Sequence, residues 1–296
     1  MLEVKGIYPA AITPMKEDES PNLAAIPPLV ERLLAAGVHG LFVLGTQGES
    51  YALTEEERDR VLREFLAVVA GRVPVIAGAG AVTTRQALRY ARLAEEAGAD
   101  AISLIAPYFI APGQDELYAH FRAIAESTRL PVLLYNHPFR THLRIEPATV
   151  ARLAEVDNIV GVKDSAGDIV NTMAYVNQTP EGFAVMNGHD GLVCSALQVG
   201  AAGAVTATGN IVPELFVRIY QAARAGDWAA ALETQRRVLP LRAMFAAGTA
   251  PDPIKEAARM IGLPVGPTAR PAGPMSPGAR QALRRVLLDL GLEVVA

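Results

Sequence analysis

The stretch Asn158-Ile159-Val160-Gly161-Val162-Lys163-Asp164 runs apolar without interruption from Ile159 to Val162 and then ends on two charges. A strand with one wet face would alternate apolar and polar residues. A continuous run of this length fits a parallel strand covered on both faces. The same kind of segment recurs along the chain at Ile7–Thr13, Gly40–Leu44, Val73–Ala77, Ala101–Ile105, Val132–Tyr135, Ile159–Lys163, Phe183–Met186 and Ala204–Thr206. Between these segments lie stretches with apolar residues at helical spacing, such as Thr54–Gly71, Thr83–Gly98 and Gln114–Thr128. Thr54 followed by Glu57 is a capping-box pattern, and Gly71 and Gly98 stand where helices end. Eight strands alternating with helices predict an α/β fold, a (β/α)8 barrel. A doubly wound sheet is the alternative, but no G-x-G-x-x-G turn follows the first strand.

The strand pattern is used up by Thr206, and the remainder reads as helical: Glu214–Ala225, Trp228–Ala247, Asp252–Ile261 and Pro277–Leu290. The first of these completes the barrel. The expected organisation is therefore a catalytic barrel over residues 1–225 and a C-terminal helical extension over residues 226–296, packed on the barrel.

Composition narrows the function. The net charge is −4 and the pI is near 5.8, with both signs interspersed, which argues against nucleic-acid binding. The apolar runs are too short to span a membrane, and the N-terminus, with Glu3 and Lys5, lacks the apolar stretch of a signal peptide. The single Cys194 excludes an internal disulfide framework and sits among Val193, Ser195, Ala196 and Leu197, as a buried helix residue would. These features together predict a cytoplasmic protein.

Lysine usage singles out one position. Of 27 basic side chains only Lys5, Lys16, Lys163 and Lys255 are lysine, and the other 23 are arginine. Where a positive charge alone suffices, this chain uses arginine, whose guanidinium stays protonated. A desolvated lysine, by contrast, yields a free amine that can attack a carbonyl and form a Schiff base. An ordinary lysine that snorkels or pairs with Asp164 is the competing reading.

Chemistry in such a barrel sits at the C-terminal ends of the strands. The strand ends bring Thr13, Gly45-Thr46-Gln47-Gly48-Glu49, Gly78, Pro107-Tyr108, Tyr135-Asn136, Lys163-Asp164, Asn187-Gly188 and Thr206 to one rim. Tyr135 ends the strand before the lysine strand, where a phenol beside an amine can relay protons. The turn Gly45-Thr46-Gln47-Gly48 offers backbone amides for a carboxylate, and Thr46 can hydrogen-bond the tyrosine hydroxyl. Tyr135 as a mere aromatic lid of the barrel stays open on this reading.

The combination resembles the dihydrodipicolinate synthase / N-acetylneuraminate lyase family of class I pyruvate-dependent aldolases. The resemblance rests on Ala11-Ile12-Thr13-Pro14-Met15, Gly45-Thr46-Gln47-Gly48-Glu49-Ser50, Pro74-Val75-Ile76-Ala77-Gly78, Pro107-Tyr108-Phe109 and Tyr135-Asn136-His137-Pro138. It continues through Gly161-Val162-Lys163-Asp164-Ser165, Asn187-Gly188-His189-Asp190 and Gly200-Ala201-Ala202-Gly203-Ala204. It implies that Lys163 forms an imine with pyruvate or another 2-oxo acid, that Tyr135 is the general acid/base, and that Thr46 orients it. It further implies that the turn at Gln47 and Gly48 binds the carboxylate, and that the carbonyls of Gly188 and Val205 face the site. Arg140 matches an arginine that grips the distal carboxylate of an aldehyde substrate. No metal and no cofactor beyond the covalent imine is expected, and the expected assembly is a homotetramer, a dimer of dimers.

Two departures leave the substrate open. Gln47 replaces a second threonine, and Phe109 stands where synthases place a tyrosine that completes a proton relay across a dimer interface, with Tyr108 one position away. His137 and His189, after the fifth and seventh strands, suit a hydroxylated 2-oxo acid, which points to a 2-oxo-3-deoxy sugar acid aldolase or dehydratase. Two other classes compete: a metal-dependent aldolase using His137, His189, Asp164 and Asp190, whose spacing is loose, and a 2-oxo acid-binding homologue without catalysis.

Overall fold

In the computed structural model, which describes residues 2–295, eight short strands carry the apolar runs. They are β1 (Gly6–Pro9), β2 (Leu41–Val43), β3 (Val75–Gly78), β4 (Ala101–Ile105), β5 (Val132–Asn136), β6 (Ile159–Asp164), β7 (Ala184–Asn187) and β8 (Gly203–Thr206). All pair in parallel in the order β1-β8-β7-β6-β5-β4-β3-β2. The ring closes between Ala10 and Phe42, where the Ala11 amide donates to the Phe42 carbonyl at 2.8 Å. The fold is thus a (β/α)8 barrel with further helices at its C-terminus.

The strand faces explain the uninterrupted apolar runs. Inward-facing Tyr8, Phe42, Ile76, Ala101, Leu133, Tyr135, Met186 and Val205 fill the barrel. Outward-facing residues such as Val43, Val75, Leu104, Leu134 and Val162 join the layer beneath the helices. Both faces of each strand are therefore withdrawn from water.

The helices are α1 (Ile26–Ala35), α2 (Glu55–Val69), α3 (Thr84–Ala97), α4 (Gln114–Ala125), α5 (Pro138–Thr141), α6 (Pro147–Leu153), α7 (Ile169–Gln178), α8 (Val193–Gln198), α9 (Pro213–Arg224), α10 (Trp228–Ala243), α11 (Asp252–Met260) and α12 (Pro277–Asp289). Local signals set their ends. Thr54 and Glu57 form the reciprocal capping box that starts α2, and Gly98 takes the left-handed conformation that ends α3. Cys194 is buried in α8. No helix among the described residues is long and apolar enough to cross a membrane.

Two boundaries differ most from the sequence expectation. The strand expected over Ile7–Thr13 leaves the β8 ladder after Pro9, because the chain there switches partners. Ala11 bonds to Phe42, Ile12 to the Asn210 side chain and Met15 to Val265. The helix expected over Trp228–Ala247 ends at Ala243 and tightens into a 3-10 turn over Met244–Ala247.

Candidate active site

β5 and β6 lie side by side, with Tyr135 paired to Lys163 and Asn136 to Asp164. Alternation along a strand sends Lys163 and Asp164 to opposite faces. Lys163 enters the barrel, where its Nζ lies 3.9 Å from the ring centroid of Tyr135 and 4.3 Å from that of Phe42. Asp164 points away from it. Its carboxylate accepts hydrogen bonds from Asn136 Nδ2 (2.9 Å), Asn171 Nδ2 (3.0 Å), Thr172 Oγ1 (2.9 Å) and the Ala166 amide (3.1 Å). The competing reading of a Lys163–Asp164 ion pair is thereby corrected. Among the described residues no carboxylate lies within ion-pair distance of Lys163.

Above these rings opens a cavity of about 350 Å³, lined by Thr46, Tyr135 and Arg140 together with Phe42, Tyr51 and Tyr108. Thr46 Oγ1 stands 3.5 Å from the Tyr135 hydroxyl. Of the three phenols lining the cavity, Tyr135 is the one whose ring lies against Lys163. Burial pushes the Tyr51 phenol up to about 12, helped by Glu49, and raises that of Tyr108.

None of the remaining expected binding positions lines this cavity. Gly48 is buried, and its carbonyl accepts a 2.7 Å bond from Thr13 Oγ1, which ties the turn to the segment after β1. Gln47 is half-buried, with its Oε1 buried and without a partner. Gly188 lies against Lys163: a Cβ there would meet Ser165 Oγ at 2.0 Å, Lys163 Cε at 3.1 Å and the Asp164 carbonyl at 3.2 Å, so a side chain would force Ser165 to turn and crowd the lysine. Its carbonyl accepts from Ser165 Oγ at 3.2 Å. Val205 is buried in the barrel interior with Tyr135 and Phe42.

The two histidines separate. The His137 ring packs 5.7 Å from that of Tyr135, and burial, with Lys163 and Arg140 nearby, pushes its pKa down to about 3. It is a neutral imidazole at ordinary pH. His189 turns toward α10, where its Nε2 meets the Arg242 guanidinium at 3.3 Å, and neither ring lines the cavity. The four groups considered as metal ligands do not converge. Asp190 is taken up by the amides of Ala207 and Thr208 and by Thr208 Oγ1, and no three His, Cys, Asp or Glu side chains cluster among the described residues.

A profile of the dihydrodipicolinate synthetase family matches residues 3–290. The chain belongs to that family. It is 40% identical over 292 residues to the 4-hydroxy-tetrahydrodipicolinate synthase of Methanopyrus kandleri, covering 98% of this chain and 97% of that one. Among solved structures it matches the dihydrodipicolinate synthase of Thermotoga maritima with a TM-score of 0.95 at 33% identity, over 98% of this chain and 99% of that one. It also matches the chloride-inhibited dihydrodipicolinate synthase of Acinetobacter baumannii, in complex with pyruvate, with a TM-score of 0.95 at 34% identity, over 98% and 100% of the two chains.

In this family member the cavity also draws on residues that the sequence reading left out. Ser103 on β4 lines it from inside the barrel, and Thr249, Ala250, Ala269, Pro271 and Ala272 reach it from the C-terminal extension. Arg58 is buried behind the wall and pins it, donating to the carbonyls of Ser50 (2.8 Å) and Gly78 (2.6 Å) while stacking on Tyr90. Lysine scarcity pointed equally to Lys255, which lies at 0% exposure beside Glu49. Only its partner, about two hundred residues away in sequence, separates it from Lys163.

Proposed function

We propose that this chain is a class I pyruvate-dependent lyase of the dihydrodipicolinate synthase type, making or breaking the bond at C3 of pyruvate through an imine on Lys163. The observation that carries this reading is the placement of the Lys163 amine against Tyr135 and Phe42, with no carboxylate among the described residues within ion-pair distance. The amine attacks C2 of pyruvate, the carbinolamine oxygen leaves as water, and an imine remains. Loss of a C3 proton turns the imine into an enamine, whose C3 attacks an aldehyde carbon. Tyr135, oriented by Thr46, delivers and removes the protons of these steps.

The amides at Thr46-Gln47-Gly48 hold the pyruvate carboxylate, and Gly188 and Val205 bound the imine. Arg140, exposed at the cavity wall on α5, receives the distal carboxylate of the aldehyde, for which a guanidinium fork is suited. Neutral His137 abuts Tyr135 and adds no charge of its own. His189 acts at a distance, through its contact with Arg242. In this reading residues 1–225 form the catalytic barrel, residues 226–296 an extension packed on it, and the imine needs no further cofactor.

The expected assembly is a cytoplasmic homotetramer built from tight dimers. Phe109, at 97% exposure and with φ of 76°, and the exposed Ile110 and Phe139 support association near the cavity mouth. Phe109 carries no proton, so the relay within one chain consists of Tyr135 and Thr46.

Borohydride reduction in the presence of pyruvate tests the reading. It is expected to add to Lys163 the mass of pyruvic acid less one oxygen atom, and an unmodified Lys163 would overturn it.

A further inference from the structure

The turn that follows β2 is held in a costly backbone conformation. Its two flanking residues, Leu44 (φ 54°) and Glu49 (φ 51°), are both left-handed without being glycine. Side chains disfavour that region, and such residues persist where their surroundings over-determine them. Hydrogen bonds within the turn, Glu49 N to Thr46 O (3.2 Å) and Ser50 N to Gly45 O (3.4 Å), are long. The stronger restraint comes from the other end of the chain.

Glu49 and Lys255 on α11 are both fully buried, with Nζ 2.5 Å from Oε1. The other carboxylate oxygen of Glu49 accepts the Ala269 amide at 2.8 Å, and Lys255 also donates to the Pro267 carbonyl at 2.7 Å. One ion pair thus joins the turn Gly45–Gly48, helix α11 and the Pro267–Ala269 segment, whose Ala269 faces the same cavity as Thr46 and Tyr135. A buried pair is a poor source of net stability, because desolvating two charges offsets most of their attraction, and packed apolar residues serve as well or better. What apolar residues cannot supply is a fixed direction and register.

We propose that Glu49 and Lys255 are positioning residues for the lyase reaction: through them the C-terminal extension holds the Thr46–Gly48 turn in its carboxylate-binding shape. The inference rests on the reading that this turn binds the pyruvate carboxylate. It also accounts for a second buried lysine in a chain that otherwise uses arginine. Lys255 needs a compact ammonium that fits between one carboxylate and one carbonyl, with no room for a fork.

The test compares the wild type with Glu49→Gln, Lys255→Met and the double variant, which removes both charges while keeping volume. Readouts are thermal melting, turnover, and the pyruvate concentration that half-saturates borohydride trapping of Lys163. The double variant is expected to fold and to need about tenfold more pyruvate, with turnover at saturation reduced much less. A folded double variant with wild-type half-saturation would overturn the proposal. If the variants do not fold, hydrogen exchange of the wild type decides. Trapped pyruvate is expected to slow exchange across residues 253–262, none of which line the cavity, and protection confined to the barrel would overturn the coupling. Absence of any trapping in the wild type would instead sink the imine reading, so the two failures are separable.

Discussion

Tyr135 and Lys163 are register partners on adjacent parallel strands, and the lysine Nζ rests 3.9 Å from the centre of the tyrosine ring. The ring and the hydroxyl of Tyr135 therefore do different work. The ring walls the amine, whereas the hydroxyl, 3.5 Å from Thr46 Oγ1, is the proposed proton carrier. Tyr135→Phe keeps the wall and removes the carrier. Turnover is expected to fall by about 10²–10⁴-fold, the usual contribution of a positioned acid or base. Trapping of Lys163 by pyruvate and borohydride should persist at a reduced rate. Unchanged turnover would remove Tyr135 from the mechanism.

Thr46 is proposed to act through that hydroxyl. Thr46→Val keeps the shape of the side chain and loses the hydrogen bond, so turnover is expected to drop by about tenfold. Thr46→Ser, which restores a hydroxyl, should recover most of the loss. Steady-state kinetics of the two variants check the point, and equal activity in both would make Thr46 a packing residue.

The barrel and the side-by-side placement of Tyr135 and Lys163 were legible in the sequence because both depend on local pattern. Strands such as Ile159–Asp164 are apolar on both faces, and the residue that ends each one reaches the rim wherever the strand falls. Boundaries were less legible where the chain changes partners, as after Pro9, since the bonds to Asn210 and Val265 leave no trace in local spacing. The same holds for the cavity wall supplied by Ala269, Pro271 and Ala272, and for the Glu49–Lys255 pair. His189 stands correctly after β7, yet its side chain follows Arg242, a residue whose approach depends on how α10 packs. Side-chain direction at a loop is set by such tertiary neighbours.

Arg140, in the proposed reading, serves the aldehyde and not pyruvate. It lines the cavity from α5, whereas Lys163, the proposed imine site, lies inside the barrel against Tyr135 and Phe42. Arg140→Ala is expected to raise KM for an aldehyde bearing a carboxylate, such as aspartate semialdehyde, by about 10- to 100-fold. Pyruvate half-saturation in the trapping assay should stay near the wild-type value. Arg140→Lys should recover only part of the loss, because an ammonium cannot reproduce the planar two-pronged contact. A matching rise for both substrates would place Arg140 in the general integrity of the site.

Acid should destabilise the fold in a window set by its buried histidines. His120 is buried on α4, with Nδ1 2.9 Å from Thr84 Oγ1, and burial pushes its pKa from 6.5 down to about 4. Between those values the unfolded chain carries a proton on this residue that the folded chain does not. Stability is then unaffected above about pH 6.5 and falls as pH drops toward 4, by up to about 1.4 kcal/mol per pH unit for one proton. His137, pushed down to about 3, extends the same trend to lower pH. His120→Gln should lose some stability at pH 7, where the contact to Thr84 is weakened, but show a shallower decline between pH 6.5 and 4. Urea denaturation midpoints measured across that range check the slope, and an unchanged slope would mean that His120 does not titrate on unfolding.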